Sequence, residues 1–344
     1  MKQALVIGAV GILVHTIVLA QPAPVPGMAN QATPDQRSAR AQQLLDAYRV
    51  KRATDAIENR KTLDEAYVLG IRKTRANVMA IRTLLVSRVP AEEKVALARL
   101  LGSLYSPADA TGMNAAIAQD LRRLARAEQR ELAGAAVLVY SRLGYFPDTP
   151  DILSSARRNG AIDDDGYFGE LAHLVPFAPA HAQRALVAEL RRSKNPYGTE
   201  VITFVLQAKE VVKKLDPAAK EELLLLLNET EPAFPMPLGD FGYTDAIRFA
   251  NWLHASAMLA VEIKGASYRD MVLAKLDDER TDPRKIMAFL SSGEGRRLIG
   301  EVGQRAPFEK MQQRIALYSR QLPQNEAMKE IVDGVNATLA GLKP

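Results

Sequence analysis

Apolar residues recur along most of the chain at the spacing of amphipathic helices. Ile117, Leu121 and Leu124 fall at i, i+4 and i+7, so they share one helical face. Two segments, residues 132–143 and 223–227, are apolar nearly all round. Such segments are typical of central helices that have neighbours on several sides. The pattern therefore predicts helices throughout the body of the chain.

Prolines mark the starts of many of these predicted helices. The triplets TPD at 149–151, DPA at 216–218 and DPR at 282–284 place a capping residue before a proline that fits the first helical turn. The aromatic content of 6% also disfavours strands. We therefore predict an all-α fold of many short antiparallel helices. The proline-marked starts are unevenly spaced, which leaves open an irregular array similar to HEAT-type solenoids and a compact irregular helical domain.

The first twenty residues, MKQALVIGAVGILVHTIVLA, carry one lysine, then an apolar run that ends in small residues. This is the pattern of a signal peptide, and we predict cleavage after Ala20. The alternative is an uncleaved membrane anchor, since the apolar run only just reaches spanning length. Residues 21–33 are rich in proline and alanine and carry no charge, which predicts a flexible tether. Thr33 and Pro34 have the residue types of a helix start.

The clearest interruption of the helical pattern is the segment 228–243, NETEPAFPMPLGDFGY. It contains three prolines and two glycines, so no helix is predicted there. It separates a main helical domain, residues 34–227, from a C-terminal helical region, residues 244–344. The sequence leaves open whether the segment is a domain boundary or a binding loop.

Composition removes several classes of protein. The 344 residues include no cysteine, which excludes disulfides, thiolate metal sites and cysteine nucleophiles. An exported chain of this length without cysteine suits a bacterial periplasm better than an extracellular space that relies on disulfides. The formal net charge of +5 is too small to indicate nucleic-acid binding.

Motifs for catalysis and metal binding are missing from the sequence. HExxH, GxSxG and SxxK do not occur, and prolines separate His173 from His181. We predict no metal site, no cofactor and no identifiable catalytic residue. A carboxylate pair for glycoside hydrolysis needs only spatial proximity, and Glu170, Glu200 and Glu262 are the candidates for it.

Two groups of residues are candidates for binding. The first is aromatic and apolar and belongs to segment 228–243 and the helix after it; it consists of Phe234, Met236, Phe241, Tyr243 and Trp252. The second is a basic helix surface made of Arg122, Arg126 and Arg130. The alternative for the first group is a plug between the two helical regions. The alternative for the second is an ordinary solvated surface.

These observations favour an exported protein, periplasmic or secreted, that binds another protein. Immunity proteins, chaperones and envelope adaptors belong to this class, and the sequence does not choose among them. A membrane contact is expected only if residues 1–20 persist. The alternative is a cell-envelope hydrolase that uses a carboxylate pair, so the sequence leaves enzymatic activity undecided.

Overall fold

The structure is a computed structural model, which describes residues 33–50, 55–105, 112–232, 243–320 and 326–343. These residues form 18 α-helices and two short 3₁₀ helices, and no strand occurs among them. The all-α prediction is confirmed. The predicted signal peptide and all but the last residue of the predicted tether lie outside the described residues. Within the described ranges, no helix has both the length and the hydropathy of a membrane span.

The chain divides into two compact units, Met1–Pro179 (unit 1) and Ala180–Pro344 (unit 2). Segment 228–243, where the sequence predicts a change between helical regions, falls within unit 2. The helices of unit 1 are α1 (Pro34–Val50), α2 (Ala56–Leu69), α3 (Arg75–Val86), α4 (Ala91–Ser103), α5 (Gly112–Leu124), α6 (Arg130–Arg142), α7 (Thr149–Arg158) and α8 (Asp164–Leu174), followed by a 3₁₀ turn (Val175–Phe177).

The even-numbered helices of unit 1 form a row. Helix α2 packs against α4, α4 against α6, and α6 against α8. Each odd-numbered helix packs against the even-numbered helix that follows it. Helix α6 has neighbours on several sides, as the apolar segment 132–143 predicts, because it packs against α4, α5, α7 and α8. This alternation is typical of stacked helix pairs. The more specific HEAT-like array stays a prediction.

Unit 2 contains ten helices within its described residues. They are α9 (Ala180–Ser193), α10 (Pro196–Val205), α11 (Lys209–Lys214), α12 (Pro217–Glu229), α13 (Tyr243–Lys264), α14 (Tyr268–Asp277), α15 (Pro283–Ser291), α16 (Gly293–Val302), α17 (Glu309–Ser319) and α18 (Glu326–Ala340), with a 3₁₀ turn (Ala306–Phe308) before α17. Helix α13 is central, because α10, α11, α12, α14, α15 and α16 all pack against it.

Local capping explains several of the predicted helix starts. Thr33 and Gln36 cap α1 reciprocally: the Thr33 Oγ1 accepts from the Gln36 amide, and the Gln36 side chain accepts from the Thr33 amide. Asp216 accepts from the first free amides of α12, and Asp282 from that of α15. Segment 223–227 is expected to have neighbours on several sides, but Leu225 within it is 43% exposed. One face of this segment therefore meets solvent.

Candidate functional site

A cluster of interactions in unit 2 lies where the chain leaves α12. We call it the stem cluster, and it consists of Glu231, Phe249, Trp252, Lys275 and Lys285. The Lys275 Nζ lies 2.9 Å from one carboxylate oxygen of Glu231, and the Lys285 Nζ lies 2.6 Å from the other. Because the two lysines belong to α14 and α15, the carboxylate joins the chain after α12 to two further helices.

The aromatic rings of Phe249 and Trp252 complete the stem cluster. The Trp252 indole donates a hydrogen bond to the Leu227 carbonyl over 2.7 Å, which ties α13 to the last turn of α12. Phe249 stacks on Trp252 with ring centroids 5.6 Å apart. The Lys275 ammonium lies 5.4 Å from the Trp252 ring centroid, and the Lys285 ammonium 5.3 Å from that of Phe249. Each lysine therefore has a carboxylate and an aromatic face as partners.

The electrostatics of Glu231 reflect this arrangement. Burial raises the pKa of its carboxyl group, but the hydrogen bonds and charges of Lys275 and Lys285 lower it, and the net pKa is below the ordinary value. Glu231 thus stays ionised at neutral pH and holds both lysines. The chain just after α12 is fixed in place as a consequence.

Of the aromatic and apolar residues predicted to bind, Trp252 is the one whose side chain the structure describes. Phe234, Met236 and Phe241 lie outside the described residues. Tyr243 is the first residue of α13, and its side chain is not among those described. Trp252 is only 4% exposed, so it acts from inside unit 2 as an anchor of the stem cluster.

The predicted basic surface is distributed over three elements of unit 1. Arg122 lies in the last turn of α5, Arg126 in the connection to α6, and Arg130 at the first residue of α6. Arg126 and Arg130 are exposed. The three side chains therefore do not follow one continuous helix, because α5 ends at Leu124.

Arg122 has internal partners. Its guanidinium lies 2.8 Å from Asp148 and donates to the Tyr140 hydroxyl over 2.9 Å. That hydroxyl donates in turn to Asp148 over 2.7 Å. Burial, with the Asp148 charge, raises the pKa of Tyr140 to about 12, although Arg122 opposes the shift. Arg122 therefore joins α5 to α6 and to the chain before α7.

A charge ladder, which the sequence did not reveal, crosses the helix row of unit 1. It consists of Arg60, Asp64, Arg99 and Glu131, from α2, α4 and α6. Arg60 lies 2.6 Å from Glu131 and 3.5 Å from Asp64, and Arg99 lies 3.9 Å from both carboxylates. Burial raises the pKa of Asp64, while the two arginines oppose that shift. Only the four-residue spacing of Arg60 and Asp64 is visible in the sequence.

The carboxylates considered for hydrolysis are each paired with a cation. Glu170 in α8 is 1% exposed and lies 3.5 Å from Arg142 of α6, and it also accepts a hydrogen bond from the Ser141 hydroxyl. In unit 2, Glu200 pairs with Arg248 over 3.0 Å, and Glu262 with Lys220 over 3.5 Å. The three carboxylates thus belong to three separate ion pairs.

A surface groove of about 340 Å³ lies between α9 and α12. Its walls carry Arg191, Arg192 and Lys194 opposite Glu222 and Glu229. Arg191 already holds both glutamates, at 2.8 and 2.6 Å, so the charges in the groove largely balance one another. Across the described residues, no group of three histidines or carboxylates could hold a metal ion.

Neither protein-family models nor curated proteins give a match to this sequence.

Proposed function

We propose that the protein is an exported protein-binding module of the cell envelope, and that segment 228–243 is its contact element. The observation that carries the proposal is the stem cluster. Buried or half-buried contacts fix Leu227 before the segment, Glu231 near its start, and Phe249 and Trp252 after it. The described chain is therefore held on both sides of residues 233–242.

Two physical properties of segment 228–243 favour binding: its ends are held, and it contains aromatic and methionine residues. A contact segment that is held at both ends loses less conformational entropy when a partner binds. Aromatic and methionine side chains are the residues that anchor protein interfaces, and the segment supplies Phe234, Met236 and Phe241 by sequence. The N-terminal sequence pattern supports export, and the absence of cysteine supports a bacterial periplasm as the destination.

The hydrolase alternative has weaker support. A general acid must reach its substrate, but Glu170 is almost fully buried. Glu200 and Glu262 are each engaged by a basic side chain. Release of reducing ends from purified peptidoglycan, abolished by Glu200→Gln or Glu262→Gln, is the result that would favour the hydrolase.

Affinity purification from the cell envelope tests the binding proposal. The bait is the full chain with a C-terminal tag, compared with a Phe234→Ser/Phe241→Ser variant. Leu317→Ser is the matched control, because Leu317 is an apolar residue of unit 2 that is 58% exposed and lies on α17. We expect one protein to co-purify in stoichiometric amount with the wild type and the control and to be lost from the double variant.

Two results would refute the proposal. One is a partner that the double variant retains in full. The other is the absence of any stoichiometric partner after crosslinking in intact cells. Glu231→Gln provides a further check, since weakening the stem should reduce capture without changing segment 228–243 beyond that one side chain.

A further inference from the structure

A buried histidine connects four elements of unit 2. His254 lies on α13, and its side chain is 8% exposed. Its Nδ1 lies 2.8 Å from the hydroxyl oxygen of Tyr268, the first residue of α14. The same nitrogen lies 3.7 Å from Oε2 of Glu294, in the first turn of α16. A backbone hydrogen bond links the ring to Gln207, between α10 and α11.

With the ring's proton on Nε2, the neutral ring accepts at Nδ1 from the Tyr268 hydroxyl. Burial raises the pKa of Tyr268, so the phenol keeps the proton that it donates. Glu294 is the second acceptor in reach, and it is held in place by Arg297, whose Nη2 lies 2.6 Å from Oε2.

We propose that His254 is an acid-responsive switch within unit 2: when it takes up a proton, its Nδ1 exchanges the Tyr268 hydroxyl for the Glu294 carboxylate. The proton comes from solvent and adds to the lone pair of Nδ1. No covalent bond breaks, and Tyr268 keeps its hydroxyl proton. A protonated Nδ1 can only donate, so Tyr268 can no longer donate to it. The phenol oxygen and the Glu294 carboxylate then compete as acceptors for Nδ1–H, and the charge-assisted bond to Glu294 is the stronger of the two.

The surroundings favour the neutral ring near pH 7. Burial lowers the pKa of His254, and this effect outweighs the Glu294 charge and the Gln207 bond, which raise it. Arg297 lowers it further. Many charged groups on the helices that pack against α13 have acid or base partners of their own; they include Lys220 with Glu262, Lys275 and Lys285 with Glu231, Glu200 with Arg248, Arg284 with Asp282, and Lys213 with Glu210. Four further charged residues on these helices, Lys209, Lys214, Glu221 and Arg296, are exposed.

The exchange has a structural consequence for α14. Tyr268 begins this helix, and Lys275, two turns later, holds Glu231 and lies over the Trp252 ring. Loss of the Tyr268 bond removes one link between the start of α14 and α13, while the ring contact between His254 and Tyr268, with centroids 5.3 Å apart, remains. Trp252 is the only tryptophan in the chain, so its fluorescence reports the position of α14. The switch is a property of unit 2 alone, and its test needs no partner.

The test is an acid titration of the full chain from pH 8 to pH 5, followed by Trp252 fluorescence and by NMR of the histidine ring protons. We expect one reversible transition below the ordinary histidine value of about 6.5. His181→Gln is the matched control, since His181 is exposed on α9. The transition should persist in that control and disappear in His254→Gln.

Two further variants give shifts of opposite sign, which a merely structural histidine would not show. Tyr268→Phe removes the donor that stabilises the neutral ring, so the midpoint should move to higher pH. Glu294→Gln removes the charge that stabilises the protonated ring, so it should move to lower pH. A transition that survives in His254→Gln would overturn the proposal. A midpoint that neither Tyr268→Phe nor Glu294→Gln moves would overturn it too, even if His254→Gln fails to fold.

Discussion

The corner between α15 and α16 makes a sharp prediction, because one helix contains two glycines with opposite surroundings. A Cβ added at Gly295 would lie 2.0 Å from the carbonyl oxygen of Phe289 and 2.7 Å from the Cα of Leu290. A Cβ added at Gly300 would meet no described atom within 4 Å. We therefore expect Gly295→Ala to destabilise unit 2 and Gly300→Ala to stabilise it.

The loss of stability in Gly295→Ala follows from the backbone atoms that the added Cβ would displace. The Phe289 carbonyl accepts hydrogen bonds from the Ser292 amide over 2.9 Å and from the Ser292 hydroxyl over 2.6 Å, so it cannot shift without weakening both. Overpacking costs about 1–3 kcal/mol, and each weakened hydrogen bond adds up to about 1 kcal/mol. The better helix propensity of alanine returns about 1 kcal/mol. The net loss for Gly295→Ala is then about 2–4 kcal/mol, against a gain of about 0.5–1 kcal/mol for Gly300→Ala.

Urea denaturation followed by the fluorescence of Trp252 measures both variants. This tryptophan lies in unit 2, so the signal reports the unit that contains both glycines. Far-UV circular dichroism of each variant before denaturation checks that the native helix content is retained. Equal midpoints for the two variants, or a more stable Gly295→Ala, would show that the backbone of α15 does not lie this close to Gly295.

Three other predictions address other parts of the chain. Arg142→Ala leaves Glu170 buried without its cation and should lower the stability of unit 1 by about 3–5 kcal/mol in denaturation followed by circular dichroism; a loss below about 1 kcal/mol would contradict the buried pair. Lys194 has a φ of 49°, in the left-handed region after α9, so Lys194→Gly should raise the melting temperature by relieving about 1 kcal/mol of strain, and an unchanged or lower value would be inconsistent with that backbone. Burial lowers the pKa of His254 below its unfolded value, so the unfolded chain binds more protons below about pH 6.5; the urea midpoint of unit 2 should fall from pH 7 to pH 5, and it should fall less in His254→Gln.

The sequence predicts best those features, such as helix starts, that depend on residues close together in the chain. The start of α12 follows from Asp216 and Pro217, because the cap and the fixed φ act within one turn. The apolar segment 132–143 likewise predicts a helix with several neighbours. The end of α5 at Leu124 has no such local signal, because the turn that follows contains neither proline nor glycine. That turn contains Arg126 and separates Arg130 from Arg122.

Interactions between distant residues could not be predicted. Arg60 and Glu131 are 71 positions apart, and no spacing rule connects them. Trp252 looks like an interface residue in the sequence, because a tryptophan near an irregular segment fits both a surface and a core. Its bond to Leu227 depends on how α12 and α13 pack, and that packing is a property of the folded unit. The same reason hides the partners of His254.

Site-specific photocrosslinking in living cells tests the central claim most directly. A benzophenone amino acid is placed at Phe241, within segment 228–243, and in a second strain at Leu317, which is exposed on α17. The account predicts one discrete adduct from position 241 and none of the same mass from position 317. No adduct from position 241, or the same adduct from both positions, would contradict the claim that segment 228–243 is the contact element.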